Sequence, residues 1–260
     1  MKQARIVLRS VERRFATRSG TKTALAAVDL EIRRGEFVCL VGPSGCGKST
    51  LLNIVAGFDA PSRGSVEIDG AIVDGPQRRV VTLFQSYGLF PWRSVLRNVE
   101  YGLEVSGVPR RERRDLAMQC LALVGLSAFA DHHPHELSGG MQQRIALARA
   151  LAVDPECVLM DEPFGALDAI TRIKLQEELA RIWEERRKTI VCVTHDIEEA
   201  VFLADRVLVM ATNPGRVKTI VPVPLPRPRS RTSPDFDELR RRVYAELELA
   251  HDQPPPEFEI

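Results

Sequence analysis

Gly42-Pro43-Ser44-Gly45-Cys46-Gly47-Lys48-Ser49-Thr50 is the stretch on which the reading of this chain turns, because residue types and spacing together determine its chemistry. Gly42 and Gly47 stand five positions apart and are followed at once by Lys48 and the Ser49 hydroxyl, the spacing of a phosphate-binding loop. Upstream, Glu36-Phe37-Val38-Cys39-Leu40-Val41 reads as a buried strand, and downstream Ser49 to Ala56 reads as a helix. Glycines let the backbone turn its N–H groups onto an anion, and the helix N-terminus adds the positive end of its dipole. Lys48 brings a mobile full charge to the outer phosphates, and Ser49 is placed to ligate Mg2+. The alternative is a glycine-rich turn that binds nothing, a reading that leaves the lysine, the hydroxyl and the strand-to-helix context without a purpose.

A length of 260 residues allows one large α/β domain, or one with an inserted lobe. Lys and Arg total 36 against 35 for Asp and Glu, so a net charge of +1 gives no general attraction to nucleic acid or anionic lipid. No apolar run approaches the roughly 20 residues that cross a bilayer, and Met1-Lys2-Gln3-Ala4-Arg5 is not followed by a signal-type apolar core. A cytosolic chain is therefore expected. The five cysteines, Cys39, Cys46, Cys120, Cys157 and Cys192, form no C-x-x-C pair, and three lie in apolar runs, which fits a reducing compartment.

Ile6 to Glu12 and Val28 to Ile32 alternate like half-exposed strands, with polar Ala16 to Thr23 between them read as a loop. Ser65 to Ile68 and Val80 to Phe84 are further strands. From about Ser94 to Ala152 the spacing becomes helical, over Val95 to Ser106, Arg110 to Val124 and Gln142 to Ala152, without a strand between. After Pro155 strands return at Cys157 to Met160, Thr189 to Val193 and Arg206 to Met210, separated by helices at roughly 169 to 187 and 197 to 204. Such alternation predicts a parallel sheet covered on both faces. Asn213-Pro214-Gly215 makes a turn before a strand at Val217 to Val223, and the run of Pro222, Pro224, Pro226 and Pro228 stops regular structure. Ser233 to Leu249 is a charged amphipathic helix.

Two further stretches carry chemistry. Leu137-Ser138-Gly139-Gly140 opens a helix that Ser138 can cap, while the glycines bring backbone close to something outside; this is either a second anion site without a lysine or simply a good N-cap. Val158-Leu159-Met160-Asp161-Glu162 is an apolar strand ending in two carboxylates, of which Asp161 can join the Mg2+ shell and Glu162 can deprotonate an attacking water. Val191-Cys192-Val193-Thr194-His195-Asp196 is another apolar strand with a polar end; His195 is there either for function or as a strand-end histidine.

With these stretches in order, the chain resembles the ATP-binding cassette family over residues from about 6 to 225. The family's fold is then expected: α/β, a P-loop NTPase with a mainly parallel core sheet, an antiparallel β subdomain and an inserted α-helical subdomain. The resemblance implies an ATPase domain over 1–230 with the helical subdomain at about 86–152; the charged amphipathic pattern adds a C-terminal helix over 231–250, and the proline-rich composition a disordered tail at 251–260. It assigns ATP contacts to Gly42, Pro43, Ser44, Gly45, Cys46, Gly47, Lys48, Ser49 and Thr50, and adenine stacking to Phe15. Gln85 is placed as a catalytic and Mg2+-contacting glutamine beside Ser49 and Asp161, and Glu162 and His195 as catalytic groups. Leu137, Ser138, Gly139, Gly140 and Gln142 form the signature that meets ATP bound to the opposite subunit, and Asp168 lies in the D-loop. Met141 and Cys46 depart from the commoner Gln and Ser, without removing a backbone donor or a charge. Cys46 is expected to make the protein thiol-sensitive.

Because the family sandwiches two cassettes around ATP, a second copy of the chain is an expected partner. FPWRSVLRNV at 90–99, HDIEEAVFLADRV at 195–207 and NPGRV followed by PLPRPRSR narrow the resemblance to the nitrate, sulfonate and taurine import group. That group implies membrane permease subunits, contacted near Tyr87, Phe90 and Trp92, a solute-binding protein acting through them, no nucleic acid, and a peripheral place on the cytoplasmic face of the membrane. Phe90 and Trp92 otherwise pack under the following helix. His132, His133 and His135 read either as a metal site or as a plain loop, and Arg227, Arg229 and Arg231 as a solvated linker rather than a lipid contact. Rival functions are a cassette ATPase acting on nucleic acid or the ribosome, and a nucleotide-gated switch without turnover.

Overall fold

The computed structural model describes residues 4–17, 20–84 and 87–251. The expected disordered tail lies almost wholly outside them. In chain order the elements are strands β1 (Ala4–Thr17), β2 (Gly20–Arg33) and β3 (Phe37–Val41), helix α1 (Lys48–Ala56), and strands β4 (Arg63–Ile68), β5 (Ala71–Ile72) and β6 (Val80–Leu83). Helices α2 (Val95–Val105), α3 (Arg110–Leu123) and α4 (Gly139–Ala152) follow, then β7 (Cys157–Asp161), α5 (Ala169–Arg186), β8 (Thr189–Val193) and α6 (Ile197–Leu203). Strands β9 (Arg206–Ala211) and β10 (Arg216–Pro222) and helix α7 (Pro234–His251) complete the chain.

Two compact units form: Met1–Arg78 with Arg187–Ile260, and Arg79–Arg186. In the first, β3 runs parallel to both β8 and β9, and β10 returns antiparallel to β9. All five residues of β3 and of β8 are buried, as continuous apolar strands covered on both faces should be. A second, antiparallel sheet has the order β2-β1-β4-β5. Its alternating residues Ile6, Leu8, Leu30 and Ile32 are buried, so one face is apolar and the other wet.

This hairpin corrects the loop expected at Ala16 to Thr23. β1 continues to Thr17 and β2 starts at Gly20, with Phe15 opposite Lys22 and Ala16 opposite Thr21. Ladder hydrogen bonds are made by backbone, so polar side chains at the exposed end of a hairpin conceal it from an apolar pattern.

The arginine run after β10 is likewise not a solvated linker. Arg229 donates through one Nη to the carbonyls of Val201, Phe202 and Ala204 at 2.7–2.9 Å, and through the other to Val223 O at 3.2 Å. Arg227 donates to Leu203 O at 2.6 Å and Asp205 Oδ1 at 3.2 Å, while Arg231 stacks 3.5 Å over the Phe202 ring. Carbonyls at the end of α6 have no partner within the helix, and a guanidinium fork answers several at once. Beyond this strap, Phe236, Val243 and Ala250 of α7 are buried at seven-residue intervals, one stripe along the helix.

In the second unit β6 and β7 pair in parallel, with Leu83 opposite Met160. Helices α2, α3 and α4 pack on one another, and α5 buries Leu175, Leu179 and Trp183. Besides the helices expected over 86–152, the unit takes in β6, β7 and α5.

Candidate active site

In the first unit, β3 delivers the chain to Gly42 and α1 begins at Lys48. A Cβ on Gly42 would lie 2.8 Å from both Cys46 Sγ and Met210 O, and one on Gly47 2.5 Å from Leu25 Cδ2. Gly47 also has φ +90°, which only glycine adopts without strain. The loop is thus wound too tightly for side chains at these points, leaving backbone on its inner surface. Lys48 Nζ arches back to donate to Gly42 O at 2.7 Å and Pro43 O at 2.9 Å. Its charge is held over the loop. Ser44, Gly45 and Ser49 are exposed along the loop, and Thr50 is half-buried.

The floor of the loop was not legible from the motif. Gly215 O accepts Ala26 N–H at 2.8 Å, and a Cβ on Gly215 would fall inside van der Waals contact of the carbonyl oxygens of Cys46 and Ala24. Cys46 is fully buried, and burial raises its thiol pKa against the lowering effect of Lys48. A protonated, enclosed thiol is a poor nucleophile, which removes the expectation of thiol sensitivity.

His195 follows β8. Thr194 N–H donates to Leu40 O at 3.1 Å, so the end of β8 is tied to the strand that feeds the loop, and His195 is exposed at the same carboxyl edge. Asp196 then caps α6, accepting Glu199 N–H at 3.1 Å. Phe15 stands on β1, part-exposed, with the Arg13 guanidinium 4.5 Å from its ring centroid. Gln85 lies outside the described residues.

In the second unit, Ser138 is exposed and its Oγ accepts Met141 N–H at 3.3 Å, capping α4. Gly139 is exposed beside it. Leu137 is buried, and Gln142 Nε2 donates to Pro134 O and Leu137 O at 2.9 and 3.2 Å, holding the approach to the cap. Glu136, which accepts His133 N–H, has its pKa lowered chiefly by that bond, so the histidine segment braces this turn. Among the described residues no cluster of His, Cys, Asp and Glu could hold a metal.

Asp161 ends β7 and Glu162 follows with φ +49°. Gln143, 4% exposed, donates to Glu162 O at 3.1 Å and accepts Ala166 N–H at 3.2 Å. One buried amide therefore ties α4 to both ends of the segment from Glu162 to Ala166. Asp168 is exposed and immediately precedes α5, accepting Thr171 N–H at 3.0 Å. Gln143, unlike Gln142, has no motif position to mark it, and its partners lie 19 and 23 residues away.

An apolar groove of about 320 Å³ in the same unit is lined by Val81, Leu83, Phe90, Tyr101, Ala146 and Arg149 among others. Phe90 meets Tyr101 of α2 edge-on, with centroids 4.6 Å apart, whereas Trp92 is 73% exposed. Asn98, buried, accepts Phe90 N–H at 2.8 Å and donates to the carbonyls of Phe90, Arg93 and Ser94, which holds the rim in shape. Arg149 donates to Tyr87 O and Gly88 O at 2.9 and 2.7 Å.

A sequence profile described as ABC transporter matches residues 25–165, and an uncharacterized ABC transporter ATP-binding protein of Methanocaldococcus jannaschii is 51% identical over 220 residues, 85% of this chain and 82% of the relative. The chain belongs to the ABC transporter ATPase family. A taurine import ATP-binding protein of Yersinia pestis is 52% identical to this cassette, over 75% of the chain and 77% of the relative. A nitrate import ATP-binding protein of Synechocystis is 48% identical, over 80% and 78%. Among solved structures, a bacterial ABC transporter cassette determined as a dimer aligns with TM-score 0.78 and 38% identity, covering 84% of this chain and 98% of that one. A post-hydrolysis dimer bound to ADP and phosphate aligns with TM-score 0.77, 38% identity and the same coverage. The cassette is thus an ATP-binding ATPase with the P-loop fold expected from sequence, and no described helix is long and apolar enough to cross a membrane.

Proposed function

We propose that two copies of this cassette hydrolyse ATP between them to drive an importer for a small anion of the sulfonate, taurine or nitrate class. The relatives' import names support the substrate class, and the dimeric neighbours support the pairing. The observation that carries the hydrolytic reading is Glu162, a carboxylate after an apolar strand whose backbone Gln143 fixes.

In this reading the loop N–H groups and Lys48 bind the β- and γ-phosphates, and Phe15 stacks on adenine. Ser138, Gly139 and Gly140 of the partner subunit meet the γ-phosphate from the other side, and Gln142 supports that approach. Glu162 orients a water and takes its proton, His195 steadies the γ-phosphate, and Asp168 works at the subunit junction. Mg2+ suits the oxygen donors of Ser49, Asp161 and Gln85, and supplies neutralisation of phosphate charge when bound. The groove near Tyr87, Phe90 and Trp92 receives an apolar helix of a membrane permease, which a solute-binding protein loads; the cassette then sits at the cytoplasmic face of the membrane.

Glu162→Gln should lower steady-state phosphate release by roughly 10²–10⁴ while ATP binding persists, and a dimer should accumulate on size exclusion. A variant that turns over at the wild-type rate refutes the assignment. Pull-down from detergent-solubilised membranes should bring down permease chains, and recovery of nucleic acid instead would reject the transport role.

A further inference from the structure

A cleft of about 680 Å³ opens beside His195, and apart from that histidine the proposed reaction uses none of its lining. One wall is the start of α6, Asp196 to Glu198; the other is α7, presenting Arg240, Arg241 and Tyr244. The carboxylates of the first wall are engaged within the chain. Asp196 caps α6, and Glu198 takes Arg231 Nε at 3.3 Å. On the second wall Arg240 and Arg241 share the single carboxylate of Asp237. Two guanidinium groups with five N–H donors each exceed what one carboxylate can accept, and the Arg241 side chain is 79% exposed. Tyr244, 54% exposed, adds a ring to this cationic wall. The cleft therefore suits a carboxylate carried next to an aliphatic side chain.

The chain carries that combination on another surface. Asp168 is exposed at the start of α5, and Ile170 and Ile173, 69% and 41% exposed, stand one turn apart behind it. Thr171 N–H bonds to the Asp168 carboxylate and holds its pKa below the usual range, so it is ionised at neutral pH.

We infer that α7 is part of the subunit interface: Asp168 of the partner subunit meets Arg240 and Arg241, and Ile170 of the partner subunit packs on Tyr244 in the cleft beside His195. The inference rests on the ATP-bridged dimer proposed above. Continuity with that dimer's reaction site selects a second copy as the occupant. The cleft begins at His195, and Asp168 lies six residues after Glu162. Two-fold symmetry repeats the contact, so one chain's α5 start and α7 serve two identical seats.

Cross-linking tests it. In a Cys120→Ser, Glu162→Gln background the remaining native cysteines are buried, and Ile170→Cys and Tyr244→Cys are made in separate chains and mixed. A short bis-maleimide should give a covalent dimer only in the mixture and only with ATP. An ATP-dependent dimer on size exclusion without the covalent band overturns the seat assigned to α7 and leaves the ATP bridge standing. Absence of any ATP-dependent dimer overturns both. Independently, Arg240→Glu with Arg241→Glu should raise the protein concentration needed for ATP-dependent dimerisation by about tenfold, because like charges then face each other. An unchanged concentration, in protein with an unchanged melting temperature, rejects the inference.

Discussion

Cys46 sits inside the phosphate loop, 3.6 Å from Lys48 Nζ, in a place where motif position alone advertises reactivity. Its burial decides otherwise, since the desolvation that raises its pKa outweighs the ammonium beside it. The raised pKa keeps the thiol protonated to higher pH than a free cysteine. Maleimide at neutral pH should therefore label the half-buried Cys120 and spare Cys46, as mass spectrometry of digested protein can show; rapid labelling of Cys46 would contradict its enclosure. Gln143 is the complementary lesson. Its bonds go to backbone atoms 19 and 23 residues away, a relation no local spacing encodes, whereas Glu162 announces itself by following an apolar strand. Gln143→Leu should cost about 1–3 kcal/mol of stability by withdrawing both bonds from a buried segment. If Glu162 is the base proposed above, the substitution should also lower kcat with little change in KM, because the carboxylate is mispositioned rather than the nucleotide lost; a change in KM alone would point to a different role.

The elements whose limits could be read from sequence are those with a period. Helices α2, α3, α5 and α6 and the apolar strands β3, β7 and β8 lie within a residue or two of their expected places, because an apolar face must repeat to be buried. The proline-arginine strap has no period. Its order comes from side chains reaching carbonyls exposed at the end of α6, more than 20 residues away, so composition alone describes it as solvent-borne. Arg229→Ala should lower stability by about 2–3 kcal/mol in urea unfolding, since several helix-end carbonyls lose a charged donor together. Arg229→Lys should not restore it, because a single ammonium cannot reproduce the planar fork. Full recovery by lysine would show that charge, not shape, holds the strap. The same hydrogen bonds fix the segment that leads into α7 onto the helix that starts two residues after His195.

At the scale of the molecule, α/β alternation was legible, and with it the loop at the carboxyl edge of a parallel sheet. The closing of that loop from below was not. Gly215, in a turn 168 residues after Gly47, abuts the carbonyls of Cys46 and Ala24 so closely that no side chain fits between them. Synthesis proceeds from the N-terminus, so the nucleotide motif emerges from the ribosome long before the turn that supports it. A nascent chain stalled short of Gly215 should be unable to retain ATP, and one extended through β10 should gain that ability; nucleotide photolabelling of stalled chains would detect the step, and early labelling would disprove it. On that expectation nucleotide capture waits on the turn at Gly215. A polypeptide halted before that turn carries the cradle without its brace.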